Sequence, residues 1–257
     1  MDDGGWTMCS AFKFVFVFVL FAVSSVLAQN LTSDLMNSVR KGDVEAVQDL
    51  LRQGVDPDSR VFQQGRSALM LAAHEGHADI LETLLAEGAD PNLVTTAGRS
   101  AAMDAAMNGH FDCLEILLEK GADVNIVAND GRTALMEATV NESQDIVGLL
   151  LARGADPNAR NRIGRTPLMI AALNGRAELV AALIEKGADL DIPCEEGRTA
   201  LMDAAVGGHI EVVEILLDNG ADITMKTKMD RTALDYAAVN GYTEIVASLE
   251  KQAKGEQ

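Results

Sequence analysis

A short motif recurs along this chain at a constant interval: glycine, arginine, serine or threonine, then alanine or proline. Copies begin at Gly65, Gly98, Gly131, Gly164 and Gly197, and a sixth, which begins with Asp230, keeps the same step of 33 residues. A fixed period of this length indicates one supersecondary unit stacked on its own copies, each burying the apolar side of the next. The chain therefore predicts an extended array with a large surface, not a globule built around a catalytic pocket.

Each unit carries the signals of two helices. In residues 65–97, Ser67 precedes the alanine-rich stretch 68–75 and Gly76 follows it, which is typical of a capped helix with a glycine stop. A second stretch, from about residue 78 to residue 87, repeats its apolar residues at helical spacing and ends at Gly88. Equivalent N-cap residues follow at Ser100, Thr133, Thr166, Thr199 and Thr232. One unit is therefore helix, turn, helix and hairpin-like loop.

These motifs resemble the ankyrin repeat. Residues 164–172 match its Gly-x-Thr-Pro-Leu segment, residues 208–217 match its Gly-His and Leu-Leu segment, and Gly-Ala-Asp recurs at 88, 121, 154, 187 and 220. The resemblance covers residues 31–257. It implies an all-α solenoid of about seven units, near 31–64, 65–97, 98–130, 131–163, 164–196, 197–229 and 230–257. It also implies a non-catalytic protein-binding module that uses a concave groove and loop tips.

The chain departs from the ankyrin pattern in two ways. The usual histidine of the first helix is methionine at positions 70, 103, 136, 169 and 202, and Asp235 in the last unit. Successive sulfurs on stacked helices lie about 10 Å apart, too far to share a metal ion, so we expect core packing and no metal or other cofactor. In the fourth unit Glu142-Ser143 replaces Gly-His, which predicts that this unit is the least stable.

The N-terminal segment predicts export. An apolar run over residues 14–23 follows Lys13, and Val26-Leu27-Ala28 ends it with small residues, which is the layout of a signal peptide over residues 1–28 cleaved between Ala28 and Gln29. Translation from Met8 would give the segment a more typical basic start. The alternative is an uncleaved membrane anchor, for which the run is short. We expect a periplasmic or secreted monomer with no membrane contact after cleavage; Asn30 and Asn141 match the glycosylation pattern.

Charge narrows the class of partner. The net charge is −18, and so acidic a chain repels phosphate backbones and anionic lipids. Nucleic acid is therefore excluded as an expected partner, and another protein is favoured. Acidity that only keeps the array soluble is the alternative explanation of this charge.

A candidate binding stripe follows from helical projection of the first helix of each unit. The side opposite the core carries five apolar residues in consecutive units: Met107, Val140, Leu173, Val206 and Val239. An adjacent position carries Asp104, Glu137, Ile170, Asp203 and Tyr236. Exposed apolar residues flanked by carboxylates would suit a partner with basic and apolar side chains. Packing between neighbouring helices is the alternative for the apolar stripe, and a solvated face is the alternative for the carboxylates.

One arginine follows the opening residue of each motif: Arg66, Arg99, Arg132, Arg165, Arg198 and Arg231. These arginines, which we call the arginine ladder, could grip carboxylates of a partner. Pairing inside the chain with Asp104, Glu137, Asp203 and the Gly-Ala-Asp aspartates is the alternative that we favour.

Catalytic signals are absent from the sequence. Three of the four histidines belong to Gly-His pairs, and no catalytic triad, phosphate-binding loop or zinc motif is present. Cys113 and Cys194 stand more than two units apart, so we expect no disulfide, with Cys113 in the core and Cys194 exposed in a polar loop. Two other functions stay open: an accessory or chaperone-like partner of an exported redox enzyme, and an enzyme with an unrecognised site.

Overall fold

A computed structural model describes residues 29–61 and 64–255, and these ranges contain fourteen helices that pair into seven units. Helix α1 covers residues 29–41. The others are α2 Val44–Arg52, α3 Ala68–Glu75, α4 Ala78–Ala86, α5 Ala101–Asn108, α6 Phe111–Glu119, α7 Ala134–Val140, α8 Gln144–Ala152, α9 Pro167–Leu173, α10 Ala177–Glu185, α11 Ala200–Gly207, α12 Ile210–Asp218, α13 Ala233–Asn240 and α14 Thr243–Ala253. The all-α class predicted from the repeat is confirmed.

The helices form two layers. The first helices of successive units, α3 to α13 by odd numbers, pack side by side, and the second helices, α2 to α14 by even numbers, form a parallel row behind them. Each first helix also packs on the second helix of its own unit. Buried leucine, alanine, valine and methionine side chains fill the space between the layers in one continuous core. Contacts are thus made between neighbours along the chain, as a solenoid requires.

The predicted helix caps hold. Each of the six expected hydroxyl residues is an N-cap, and the side chains of Ser67, Ser100, Thr133, Thr166 and Thr232 accept a backbone N–H of the first turn. Thr199 is buried at its N-cap without that bond. The five methionines of the first helices are at most 1% exposed, which confirms that they pack in the core.

Hairpins follow the second helices and stack on each other. The first consists of strands β1 Arg60–Val61 and β2 Arg66–Ser67, which pair antiparallel. Across successive hairpins one backbone N–H donates to a carbonyl of the preceding unit, at 2.8–3.0 Å: Thr96 to Gln64, Asn129 to Ala97, Arg162 to Asp130, Glu195 to Ile163 and Lys228 to Glu196. We call residues 60–67, 93–100, 126–133, 159–166, 192–199 and 225–232 the hairpin segments. Their bonds make one continuous edge of the solenoid.

A second row of hydrogen bonds joins the turns after the second helices. The amide of Asn125 accepts the backbone N–H of Asp156 at 2.9 Å and donates to the carbonyl of Gly154 at 3.0 Å. Asn92 and Asn158 make the same pair of bonds in their units. Each Gly-Ala-Asp aspartate accepts the backbone N–H two residues later at 2.8–3.0 Å and so organises its turn. We expected these aspartates to pair with the arginine ladder, but none of the ion pairs of the described residues joins them.

Cys194 differs from its sequence-based prediction. It is 7% exposed, and its Cα lies close to Gly164 in the neighbouring hairpin segment. Its backbone N–H also donates to the carbonyl of Arg198 at 2.8 Å. Cys113 is buried as predicted, and burial raises the pKa of its thiol to about 11. Both cysteines are free thiols.

The predicted leader, with Ala28 of the cleavage site, lies outside the described residues, which begin at Gln29. None of the helices in the described ranges has the length and apolar composition needed to cross a bilayer.

The fourth unit contains a strained turn. Glu142 stands where other units have glycine, and its φ is +60°, a left-handed conformation that costs a residue with a side chain about 1 kcal/mol or more. Its carboxylate pairs with Arg176, but both side chains are largely exposed, so this ion pair contributes little.

We therefore expect Glu142→Gly to stabilise the protein by about 1 kcal/mol. The free energy of unfolding from urea titration is the measurement. Ala181→Gly, which places glycine at an exposed position in the interior of α10, should destabilise by a similar amount and serves as the control. A loss of stability in Glu142→Gly would show that the pair with Arg176 outweighs the strain.

Candidate protein-binding surface

The five residues of the predicted apolar stripe lie at or near the ends of the first helices. Val140 is 44% exposed and Val239 is 73% exposed. Met107, Leu173 and Val206 are half-buried. Solvent therefore reaches all five positions, although three of the side chains also pack against neighbouring residues.

The carboxylates predicted to flank this stripe are not on the surface. Asp104 and Asp203 are 0% exposed and Glu137 is 1% exposed. Arginines of the hairpin segments contact all three carboxylates. The expectation that they face a basic partner is therefore wrong. Tyr236, at the same position in the last unit, is half-buried, and the guanidinium of Arg231 lies 5.9 Å from the centre of its ring.

The arginine ladder pairs with these carboxylates by a simple rule. Each acid lies between the arginine of its own unit and that of the preceding unit. Asp104 contacts Arg66 at 3.0 Å and Arg99 at 3.3 Å. Glu137 contacts Arg99 at 2.6 Å and Arg132 at 3.4 Å. The internal pairing that we favoured for these arginines is confirmed for Asp104, Glu137 and Asp203.

Arg99 is the centre of this network. Its guanidinium donates to Asp104, to Glu137 and to the sulfur of Met107, and its side chain is only 22% exposed. Burial alone would lower the pKa of Arg99, but the hydrogen bond to Glu137 and the charges of Glu137 and Asp104 raise it. The charged form is therefore held firmly beside the apolar stripe.

Asp203 is held more loosely than the other two acids. Its nearest cations are Arg198 at 3.5 Å and Arg165 at 3.8 Å, and neither carboxylate oxygen has a hydrogen-bond partner. Burial raises the pKa of Asp203, and the charges of the two arginines offset this only in part. Asp203 is therefore a buried carboxylate whose desolvation is incompletely compensated.

The fifth unit interrupts the alternation of arginine and acid. Its residue at the acid position is Ile170, which is 8% exposed. Arg132 and Arg165, which would share a carboxylate there, each contact only one acid, Glu137 and Asp203 respectively. The hairpin segment that leads into this unit, residues 159–166, carries Arg160, Arg162 and Arg165 and no acidic residue.

The hairpin segments form a basic edge on an acidic protein. Together they hold eleven basic and four acidic residues, whereas the rest of residues 29–257 holds nine basic and thirty-three acidic ones. A surface depression of about 200 Å³ is lined by residues of three successive hairpin segments, Ala97, Arg99, Asn129, Asp130 and Arg162. More than half of the basic residues of 29–257 are thus concentrated on this edge.

The histidines of the Gly-His pairs link units. The Nε2 of His110 lies 3.0 Å from the carbonyl of His74, and that of His209 lies 2.9 Å from the carbonyl of Leu173, so each ring N–H donates to the preceding unit. Among the described residues, no group of three or more histidine, cysteine or acidic side chains is arranged to hold a metal ion.

Known proteins share this architecture. A family model described as ankyrin repeats matches residues 35–128, 69–161 and 158–227. The crystal structure of the human ASB11 ankyrin repeat domain is similar, with a TM-score of 0.75 and 28% sequence identity over 85% of this chain and 96% of that one. Among curated proteins, none matches the sequence significantly. Since the family matches cover most of the chain and agree with seven stacked helix pairs, this protein belongs to the ankyrin repeat family.

Proposed function

We propose that this protein binds another protein along the face formed by the hairpin segments and the exposed ends of the first helices. Ankyrin repeats are generally protein–protein interaction modules. The observation that carries the proposal is the row of five aligned apolar residues that stay open to solvent beside a row of arginines. Solvent-accessible apolar residues rimmed by polar groups are typical of an interaction site.

Binding on such a face requires no chemical step. The hairpins are joined by backbone hydrogen bonds and the first helices are held by a continuous core, so the surface exists before the partner arrives. A preformed surface loses little conformational entropy on binding, and affinity then comes from the apolar contacts and charge pairs that it offers.

We expect Leu173→Asp and Val206→Asp to weaken partner binding about tenfold or more while leaving the helical circular dichroism unchanged. The partner is first captured by photo-crosslinkers placed at Val127 and Met229, exposed hairpin residues, and its affinity is then measured by calorimetry. Ala181→Asp, on the second helix of the fifth unit, is exposed and gives the control for added charge. Loss of helicity in the first two variants, or equal affinity in all three, would contradict the proposal.

We also propose that the protein is exported, as the apolar segment before residue 29 indicates. Cleavage after Ala28 removes Trp6, the single tryptophan of the chain. The exported form should therefore show no tryptophan emission under selective excitation, whereas the precursor should. Tryptophan emission from exported protein would show that the leader is retained and would favour the membrane anchor.

A further inference from the structure

We propose that the partner contributes an extended acidic segment, and that one of its carboxylates binds beside Ile170 between Arg132 and Arg165. This inference rests on the proposed function and specifies the chemistry of the partner. The partner is acidic here, whereas the sequence alone predicted a basic one. The acids that were predicted to face outward are buried and already paired with arginines.

The arginine ladder and the carboxylates of the first helices alternate along the solenoid. Where the acid position is occupied, its carboxylate lies between two successive arginines, as Asp104 does between Arg66 and Arg99. The same spacing places residue 170 between Arg132 and Arg165, but isoleucine supplies no carboxylate there. A carboxylate from outside would restore the alternation of charge.

Arg132 and Arg165 make fewer contacts with carboxylates than Arg99 does. Arg99 makes hydrogen bonds to two acids, whereas Arg132 contacts one carboxylate at 3.4 Å and Arg165 contacts one at 3.8 Å. Their side chains are 31% and 20% exposed, against 22% for Arg99, so the three arginines differ in their contacts more than in their exposure. A guanidinium can donate several hydrogen bonds to carboxylates at once, so each can accept a further anion.

The distribution of charged residues around this site also favours an acidic segment. Helix α9 contains no charged residue, and the hairpin segment that precedes it carries three arginines and no acid, so segment 159–166 has the highest net positive charge of the six. The next segment, 192–199, carries Glu195 and Glu196 beside Arg198. The thirty-three acids outside the hairpin segments repel an acidic segment elsewhere on the solenoid. This edge is therefore the part of the surface that most favours an acidic partner.

Apolar residues lie in the units on either side of this site. Val140 and Leu173 end the first helices of the fourth and fifth units, and Ile163 is 53% exposed on the hairpin. These residues suit apolar side chains next to the partner's carboxylate. Single-stranded nucleic acid fits less well, because it binds through aromatic stacking, and residues 29–257 contain only four aromatic residues.

The test is selection of random twelve-residue peptides, displayed on phage, against residues 29–257 of the wild type and of Ile170→Asp. We expect wild-type pools enriched in aspartate or glutamate next to apolar residues. Ile170→Asp should fold, since aspartate occupies this position in two other units, and should bind the selected peptides about tenfold more weakly. Ala181→Asp should bind them like the wild type.

Each outcome decides the proposal. Neutral or basic pools, no enrichment, or equal affinity of Ile170→Asp would overturn it, as would tighter binding of an oligothymidylate than of the selected peptides. If Ile170→Asp fails to fold, Arg165→Gln must show the same loss of acidic preference. Enrichment of non-acidic peptides that is lost in Leu173→Asp would leave the proposed function standing while the acidic specificity fails. Enrichment of non-acidic peptides that bind Leu173→Asp as tightly as the wild type would contradict both the proposed function and the acidic specificity.

Discussion

Replacing Arg99 with leucine should lower the free energy of unfolding by about 3–5 kcal/mol, the largest effect that we expect from a single polar residue of this array. The guanidinium hydrogen-bonds two carboxylates that are 0% and 1% exposed. Its removal leaves Glu137 with one contact at 3.4 Å and Asp104 with one at 3.0 Å. Each buried carboxylate then has one arginine in place of two, so its desolvation is less fully compensated. Urea unfolding followed by circular dichroism gives the measurement.

Arg132→Leu is the matched control for this prediction. It removes the same side chain from the next unit, but Arg132 contacts only Glu137, which keeps its 2.6 Å bond to Arg99. We expect a loss of about 1 kcal/mol, typical of one modest polar contact. Equal losses in the two variants would show that the arginines act by packing of their aliphatic stems, and that the carboxylate pairing contributes little.

The fold could be predicted from the sequence because the same capping, glycine and apolar positions recur in every unit. The capping serine and threonine positions, the glycine stops and the buried methionines were all predicted and are all present. Each depends on residues close in sequence, and a period of 33 residues places the next unit beside them.

The chemistry of the surface could be predicted only in part, because it depends on contacts between units. Helical projection treats a helix as an isolated cylinder, and on that cylinder Asp104 and Asp203 face away from the core. In the structure, arginines from two hairpin segments fold over each acid. The spacing between Arg66 and Asp104, and again between Arg165 and Asp203, is 38 residues and was present in the sequence as a signal for this pairing. Cys194 was misplaced for a related reason, since a stacked hairpin buries it.

Two aspartates at the same position should respond in opposite ways to neutralisation. Asp104→Asn should lower the free energy of unfolding by about 2–3 kcal/mol, since it removes charge-assisted hydrogen bonds from two arginines. Asp203→Asn should leave it unchanged or raise it by about 1 kcal/mol, since neither oxygen of Asp203 is hydrogen-bonded and its burial is incompletely compensated. Urea unfolding at neutral pH measures both changes.

The pH dependence of the Asp203 variant separates this explanation from a simple packing effect. The pKa of Asp203 is raised in the folded protein above its unfolded value of 3.8, so the folded state binds the proton more readily. Wild-type stability attributable to this group must then fall as pH rises through the folded pKa and recover as pH drops toward 3.8. Any advantage of Asp203→Asn should therefore be largest at neutral pH and shrink on acidification. An advantage that grows on acidification, or a variant that loses as much stability as Asp104→Asn, would mean that Arg165 and Arg198 compensate Asp203 fully.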